Sequence, residues 1–599
     1  MNKWRVSQLL KAVPLMLLVL SMLLTSCQPT PQPIVQTVVV EKEKIVEKPV
    51  VETVVVQTEK IVEKPIIQTV VVEEKKEKPT GTLIIGWEGD PERFVTTVWT
   101  VASNVPLHEL LYDSLVELAP DFSFQPRLAK SWEFSDDGRT VTFHLRDDVK
   151  FTDGKPLTAE DVSFTYHLCG SPGVSTGETS FVDYLEGYDE YRDGKADTIS
   201  GIKVIDDYTI SFTSQEPYAP MMTYMNKGIM PKHLLKDVPV ADLGVHEFNF
   251  HPVGSGPFKL QEYVPNRHVI MIANEEYFRE SPKVERVIFR IASHEALLAS
   301  WLREEIDAAP VPVAELDAVE DSGFGYIHAF SGGRIDYIGP NCAGKFFQDA
   351  RVRRAVSLAL DRQVLVDLVL DGKGIPLILP HLPNTWAYDT KKWPTPPRDL
   401  EKAGQLMDEA GWKLNPATGI REKEGQPFAV ELWYVTDREP FLPDLAALIQ
   451  AQLADLGISV KLRAFDSPSI WPILLPREKV PDPDKFYDFA LLGTTLSDGD
   501  PNWLWYYIHG DAIPPVSGNN QLYNNPIMNE LLDRQKGIMD PVERQNFWNE
   551  KIWPLYIEEL PMIPVLVPQQ FWAVNYRFQG FNAQINSRVN NALNWSVSD

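Results

Sequence analysis

Between Leu128 and Val162 apolar and polar positions alternate, stop and restart. Trp132 and Phe134 share one face of an extended segment, and Val141, Phe143 and Leu145 share one face of the next, with Thr140, Thr142 and His144 opposite. Ser135-Asp136-Asp137-Gly138 supplies the reversal between them, because glycine accepts the positive φ that tight hairpin loops need. Asp153-Gly154 turns the chain again, and Thr158 stands three residues before Asp161, a capping-box-like start for a helix through Phe164 and Leu168. The same two periods recur along the chain. Residues 82–87 read as a buried strand, 106–118 as an amphipathic helix bearing Leu107, Leu110, Leu111 and Leu115, and the segments flanking Asp206-Asp207 as a second hairpin. Further on, Val352, Val356 and Leu360 fall on one helical face, residues 403–412 read as a helix ended by Gly411, and 445–456 as a helix followed by Gly457 and a strand. Ile563 to Val567 reads as one more strand. The class is mixed α/β.

Two N-terminal stretches break this pattern. Residues 1–27 carry Lys3, Arg5 and Lys11, then an apolar run from Ala12 to Leu24, too short for the ~20 residues of a membrane span and shaped like a secretory leader. Residues 28–80 repeat: Thr37, Thr53 and Thr69 each open a Thr-Val-Val-Val run, and Pro33, Pro49 and Pro65 keep the same spacing. The valines favour extended backbone, and the prolines stop pairing from becoming a continuous sheet. With no aromatic residue to bury, this stretch predicts a disordered or extended stalk. A stalk that makes oligomers is the rival reading.

Composition narrows the chemistry. A chain of 599 residues exceeds one core, so two or three domains are expected, and three cysteines make no disulfide framework. The net charge is −26, with leader and stalk nearly neutral together, so the acidity lies after residue 80 and repels nucleic acid and anionic lipid surfaces. Gly339 to Phe346 imitates a phosphate loop, but Phe346 replaces the metal-binding hydroxyl and Pro340 removes an amide donor. The eleven histidines show no metal-binding spacing, so neither metal nor cofactor is expected, and His246 and His251 read as loop residues. Cys342 reads as a packing residue rather than a nucleophile. Asp498 and Asp500 form an acidic pair with no acid placed opposite, which leaves a secreted hydrolase as a weak alternative.

The order of residues is more specific than their periodicity. Ala129-x-Ser131-Trp132, then Asp137-Gly138-x-Thr140-x-x-Phe143-x-Leu145-Arg146, then Val149-x-Phe151-x-Asp153-Gly154-x-Pro156-Leu157-Thr158-Ala159-Glu160-Asp161-Val162 closely resembles the signature of the family 5 extracellular solute-binding proteins of ABC transporters. Gly254-Ser-Gly-Pro-Phe-Lys-Leu260 and the helix from Asp349 to Arg362 resemble further landmarks of that family, and the likeness covers roughly 81–599. It implies a two-lobed periplasmic-binding-protein-like fold of type II, the large class with an extra subdomain in lobe I. The implied limits are 1–27 for the leader, 28–80 for the stalk, 81–282 for lobe I, 283–562 for lobe II and 563–599 for a return to lobe I, with 287–291 opening lobe II. Leu24-Thr25-Ser26-Cys27 resembles a bacterial lipobox, which implies a lipid on Cys27 as the only membrane attachment, in a periplasmic space if an outer membrane exists.

By that resemblance the protein is no enzyme. It is a monomeric receptor that binds an oligopeptide-like solute between closing lobes and hands it to ABC permease subunits, with no nucleic acid involved. Peptide receptors of the family hold the ligand amine with an acid four residues before an Asp-Pro proline. Here Ser497 stands at that place and Asp498 one later, ahead of Asp500-Pro501, which read as local turn. Thr100, Val101 and Ala102 resemble the lobe I backbone that pairs with an extended ligand. Trp433, Trp503 and Trp505 are candidates for the cleft walls, and each is as readily a core residue. Sixteen tryptophans keep open an oligosaccharide or other non-peptide solute.

Overall fold

The computed structural model describes residues 44–52, 64–72 and 78–598, except 97–104, 173, 175–181, 384, 497–498, 585–586, 588 and 590. The chain divides into two units, Met1–Lys76 and Glu77–Asp599. In the first, Lys44–Glu52 and Lys64–Val72 pair antiparallel, so this part of the repeat takes the extended backbone its valines favour. Pro49 lies opposite Ile67 and Pro65 opposite Val51. Two positions apart, these pairs fall in the same class of the alternating ladder, so one register suits both missing amides. The valines predict the extension; nothing in the pattern predicts the pairing. The leader and Cys27 lie outside the described residues.

In the second unit the 13-residue strand Ile563–Asn575 is the spine of a twelve-stranded sheet. Its first half pairs with Arg334–Pro340 and Gly374–Pro376, and its second half with Ala308–Pro310 and Gly325–Ser331. Beyond the first half lie Phe489–Thr495, Ala429–Val435 and Ser459–Phe465. Beyond the second lie Thr82–Trp87, Arg286–Ile291, His268–Ala273 and Phe258–Val264. Each half has its own core: buried side chains from Ile335 to Val567 form one cluster, and Leu83, Trp87, Phe289, Trp572 and Trp595 belong to another. Burying each such large side chain stabilises by roughly 1.5–3 kcal/mol. The spine passes from one core to the other.

A separate four-stranded sheet runs in the order Ala129–Phe134, Thr140–Leu145, Thr209–Thr213, Ile202–Asp206, over a third core holding Val141, Phe143 and Phe212. Trp132 faces Phe143 and Phe134 faces Val141, as the alternation predicts. The capping box is present: Asp161 Oδ2 accepts from the Thr158 amide at 2.9 Å, at the head of the helix Ala159–Cys169. In the core around Ile335–Val567, Asp349 caps Ala350–Ala359, and Val352, Val356 and Leu360 are buried. Gly411 and Gly457 take φ of 88° and 86° after the helices Leu400–Glu409 and Leu442–Asp455, where a Cβ would be strained.

One expectation fails. The helix read over 106–118 is only Val105–Leu111, and Val116–Leu118 is a strand paired with Phe124–Pro126. Asp113 ends the helix: fully buried, it accepts from Arg127 Nε at 2.6 Å and from Tyr277 hydroxyl at 2.8 Å. Apolar spacing alone does not reveal that pair. The strand Arg286–Ile291 pairs parallel with Thr82–Trp87. Strands as far as Ser331 pair within that part of the sheet, and the changeover falls between Ser331 and Arg334. Strand propensity says nothing about which partner a strand takes. Among the described residues no helix is long and apolar enough to cross a membrane.

Candidate functional site

Thr100, Val101, Ala102, Ser497 and Asp498 lie outside the described residues, but the chain on either side of each segment is held firmly. Before residue 97, the amides of Phe94 and Val95 donate to Asn249 Oδ1 at 2.8 and 3.1 Å, and Thr96 Oγ1 donates to the Gly228 carbonyl at 3.0 Å. After residue 104 the helix Val105–Leu111 begins, and Tyr112 hydroxyl donates back to the Phe94 carbonyl at 2.7 Å. On the other side, Leu496 ends the strand Phe489–Thr495 with its amide on the Gly333 carbonyl at 2.7 Å. Three residues later Gly499 stands at φ 68°, where a Cβ would lie 2.6 Å from Phe122 Cγ. Phe122 comes from the turn between Val116–Leu118 and Phe124–Pro126 and packs against the core of Ile335–Val567. The described chain from Gly499 onward is therefore held against Phe122 at the edge of the Ile335–Val567 core.

Three buried side chains pin that segment from behind. His381 Nε2 donates to the Gly499 carbonyl at 3.1 Å, and its Nδ1 accepts from Trp503 Nε1 at 3.5 Å, which fixes the neutral tautomer. Burial pulls the His381 imidazole down to about 4, against smaller opposing pulls from the Gly499 carbonyl and Asp500. Asp500 caps the short helix Pro501–Leu504 through the Asn502 amide at 2.8 Å, the local role the sequence assigns it. It is also clamped by Arg544, at 2.6 and 2.9 Å. Gln535 then joins Arg544 to Asn502: its Oε1 accepts from Arg544 Nη2 at 2.7 Å and its Nε2 donates to Asn502 Oδ1 at 2.7 Å. A bidentate buried pair is rigid, and losing one partner leaves a buried charge alone. Asp-Pro is visible in the sequence; Arg544, Gln535 and His381 carry no local signal, since they reach the loop only through folding.

The tryptophans divide. Trp433 is 8% exposed and packs on Phe465 and Tyr487, with ring centroids 4.8 and 5.8 Å away and Arg463 over its face, so here it is a core residue. Trp503 is half-buried beside Gly499, edge-on to Tyr507 at 5.1 Å. Trp505 stacks on His509 at 4.6 Å and donates to Asp533 Oδ1 at 2.8 Å. Cys342 is buried and its thiol is pushed up to about 11 by that burial, the wrong direction for a nucleophile.

A second polar group, missed by sequence, sits where the strand Arg334–Pro340 starts. Arg334 Nη2 donates to the fully buried Asp336 Oδ1 at 2.6 Å, with Glu439 3.8 Å from Arg334 Nε. Burial raises Glu439 to about 7, with Arg334 opposing and Asp336 and Glu88 reinforcing. Glu88 follows the strand Thr82–Trp87 and contacts His294, which opens the helix His294–Leu302. Among the described residues no group of three His, Cys, Asp or Glu is placed to hold a metal ion.

Residues 123–525 match the family described as bacterial extracellular solute-binding proteins, family 5 Middle. The oligopeptide-binding protein AppA of Bacillus subtilis is 28% identical over 545 residues, which cover 87% of this chain and 92% of AppA. The structure of Bacillus subtilis AppA in complex with a nonapeptide superposes with a TM-score of 0.69 at 26% identity, covering 87% of this chain and all of that one. NikZ from Campylobacter jejuni, in complex with Ni(L-His), gives a TM-score of 0.72 at 23% identity over the same shares, a likeness of fold.

Proposed function

Because the chain belongs to the family 5 bacterial extracellular solute-binding proteins, we propose that it binds an oligopeptide-like solute between two lobes and delivers it to an ABC permease, anchored by a lipid on Cys27. The peptide class is supported by AppA, the oligopeptide-binding relative that aligns over most of both chains. The observation that supports the reading is how the described residues on either side of 497–498 are held: the Leu496 amide donates to the Gly333 carbonyl, His381 to the Gly499 carbonyl, Arg544 clamps Asp500, and Gly499 abuts Phe122. A rigid frame of this kind suits binding, because binding groups held in place lose little freedom when the ligand arrives.

In this reading Asp498, with Ser497, takes a ligand's amine, and Thr100, Val101 and Ala102 pair with its backbone. Trp503 stands at the wall, and Trp433 supports lobe II from inside. The lobe limits are best drawn by strand partners: 78–331 with 569–598 for lobe I, and 334–567 for lobe II, so that the spine and the link at 332–333 are the crossings. Native mass spectrometry of the purified protein tests the solute class. The expected result is a set of masses matching short peptides that exchange when a tryptic casein digest is added. Retention of a sugar or a metal chelate, with no exchange for peptides, would replace the peptide reading.

A further inference from the structure

One five-residue segment beside the core of Ile335–Val567 touches the four-stranded sheet region at three separate places. The segment is 535–539, just after the helix Pro526–Arg534. Lys536 Nζ donates to Tyr184 hydroxyl at 3.0 Å, across 352 positions of chain. It also lies 4.1 Å from the Trp505 ring centroid and 5.2 Å from that of Tyr184, and the residue is only 8% exposed. Tyr184 is stacked on Tyr218, centroids 4.2 Å apart, and Tyr218 hydroxyl accepts from Asn502 Nδ2 at 3.3 Å. Gly537 faces the Pro217 carbonyl, and Met539 covers the Asp-Gly turn so closely that a Cβ on Gly138 would lie 2.5 Å from its Cγ.

We propose that this segment is a breakable latch between the lobes, centred on Lys536 and Tyr184, and that it sets how much of the time the solute cleft is closed. The kind of contact argues for it. The Lys536 cation over the Tyr184 ring and the single hydrogen bonds Lys536–Tyr184 and Asn502–Tyr218 part and re-form at small cost each. The carboxylate that neutralises Lys536 is Asp533, 3.3 Å away on the same side of the gap, so opening strands no buried charge. The latch is also joined to the tip: Asn502 touches Tyr218, Gln535 bonds Asn502, and Arg544 ties Gln535 to Asp500. A ligand bound beside Gly499 and Asp500 and a latch that closes the lobes thus act on one network. A competent fraction raised by the latch raises apparent affinity in proportion.

This inference rests on the two-lobe reading, and its test separates the two. Donor and acceptor dyes are placed on cysteines replacing the exposed Ile205 and Ile527 in the full-length protein, and the open fraction is read by single-molecule energy transfer with and without a tryptic casein digest. Tyr184→Phe and Lys536→Met should each raise the open fraction about three- to tenfold without added peptide, and the double variant no further than the larger single. Val542→Ala, an exposed change outside the latch, should do nothing. Should Lys536→Met unfold, as circular dichroism would show, Tyr184→Phe alone decides, since it removes one oxygen. Unchanged open fractions, multiplying effects, or one fixed distance in every variant would overturn the latch. A digest that fails to close the wild type removes the peptide reading and leaves the latch judged on the peptide-free data.

Discussion

Two of the places where the lobes meet are built from opposite materials. At the spine, Arg334, Asp336, Glu439, Glu88 and His294 bring five ionisable groups together, with Asp336 fully buried. At the far contact, Tyr184, Tyr218, Lys536 and Met539 bring rings, one cation already neutralised on its own side, and a thioether. Where the chain is continuous, the groups cannot be pulled far apart, so charge burial is tolerable. At the proposed latch a buried ion pair across the gap would make opening cost several kcal/mol, and none of the ion pairs among the described residues spans that contact. The difference teaches that a moving joint is recognised by what its contacts lack.

The frame behind the tip belongs with the first kind, and breaking it should have the largest effect. Arg544→Ala removes both guanidinium bonds to the buried Asp500 carboxylate, and the free energy of unfolding in urea should fall by about 3–5 kcal/mol. Arg544→Ala with no loss beyond ~1 kcal/mol would mean that water reaches Asp500 and that the frame is soft.

Acid should sharpen the contrast next. His381 has its folded-state pKa pulled from 6.5 down to about 4, so the unfolded chain binds the proton more readily. Stability contributed by neutral His381 is complete above about 6.5 and is lost as pH falls toward 4. Glu439 acts the other way at the spine. Its folded pKa is raised from 4.5 to about 7, so it holds its proton better when folded, and stability is lost as pH rises from 4.5 to about 7. Urea midpoints across pH 4 to 8 should therefore improve on the alkaline side in Glu439→Gln, while the wild-type acid loss remains. A Glu439→Gln profile parallel to wild type would show that the carboxyl is solvated.

The smallest expected effect is none. Deleting 28–80 should leave the melting temperature and affinity unchanged, because the repeat offers no aromatic anchor to the body. A drop of several degrees would show that it packs there.

What could be read from the chain beforehand follows the same division. Hairpins, capping box and helices were legible at Trp132–Phe143, Thr158–Asp161 and Val352–Leu360, because period, turn and cap are local. The end of the first helix at Asp113 and the partner of Arg286–Ile291 were not, because both depend on residues distant in sequence. At the site, Asp500 was legible as a turn residue beside Pro501. His381 and Arg544 lie 118 and 44 positions from what they hold, and the latch pair 352 apart, with no spacing rule to connect them.

On the proposed function, Asp498 takes a ligand's amine. Calorimetry with a free-amine nonapeptide and its N-acetylated form, on wild type and Asp498→Asn, tests it directly. The account predicts that Asp498→Asn costs the free peptide roughly 2–5 kcal/mol of affinity, the scale for breaking a buried charge pair. It also predicts that acetylation weakens binding to the wild type far more than to the variant. Equal affinity of wild type and Asp498→Asn for the free peptide, with acetylation mattering alike in both, would contradict it.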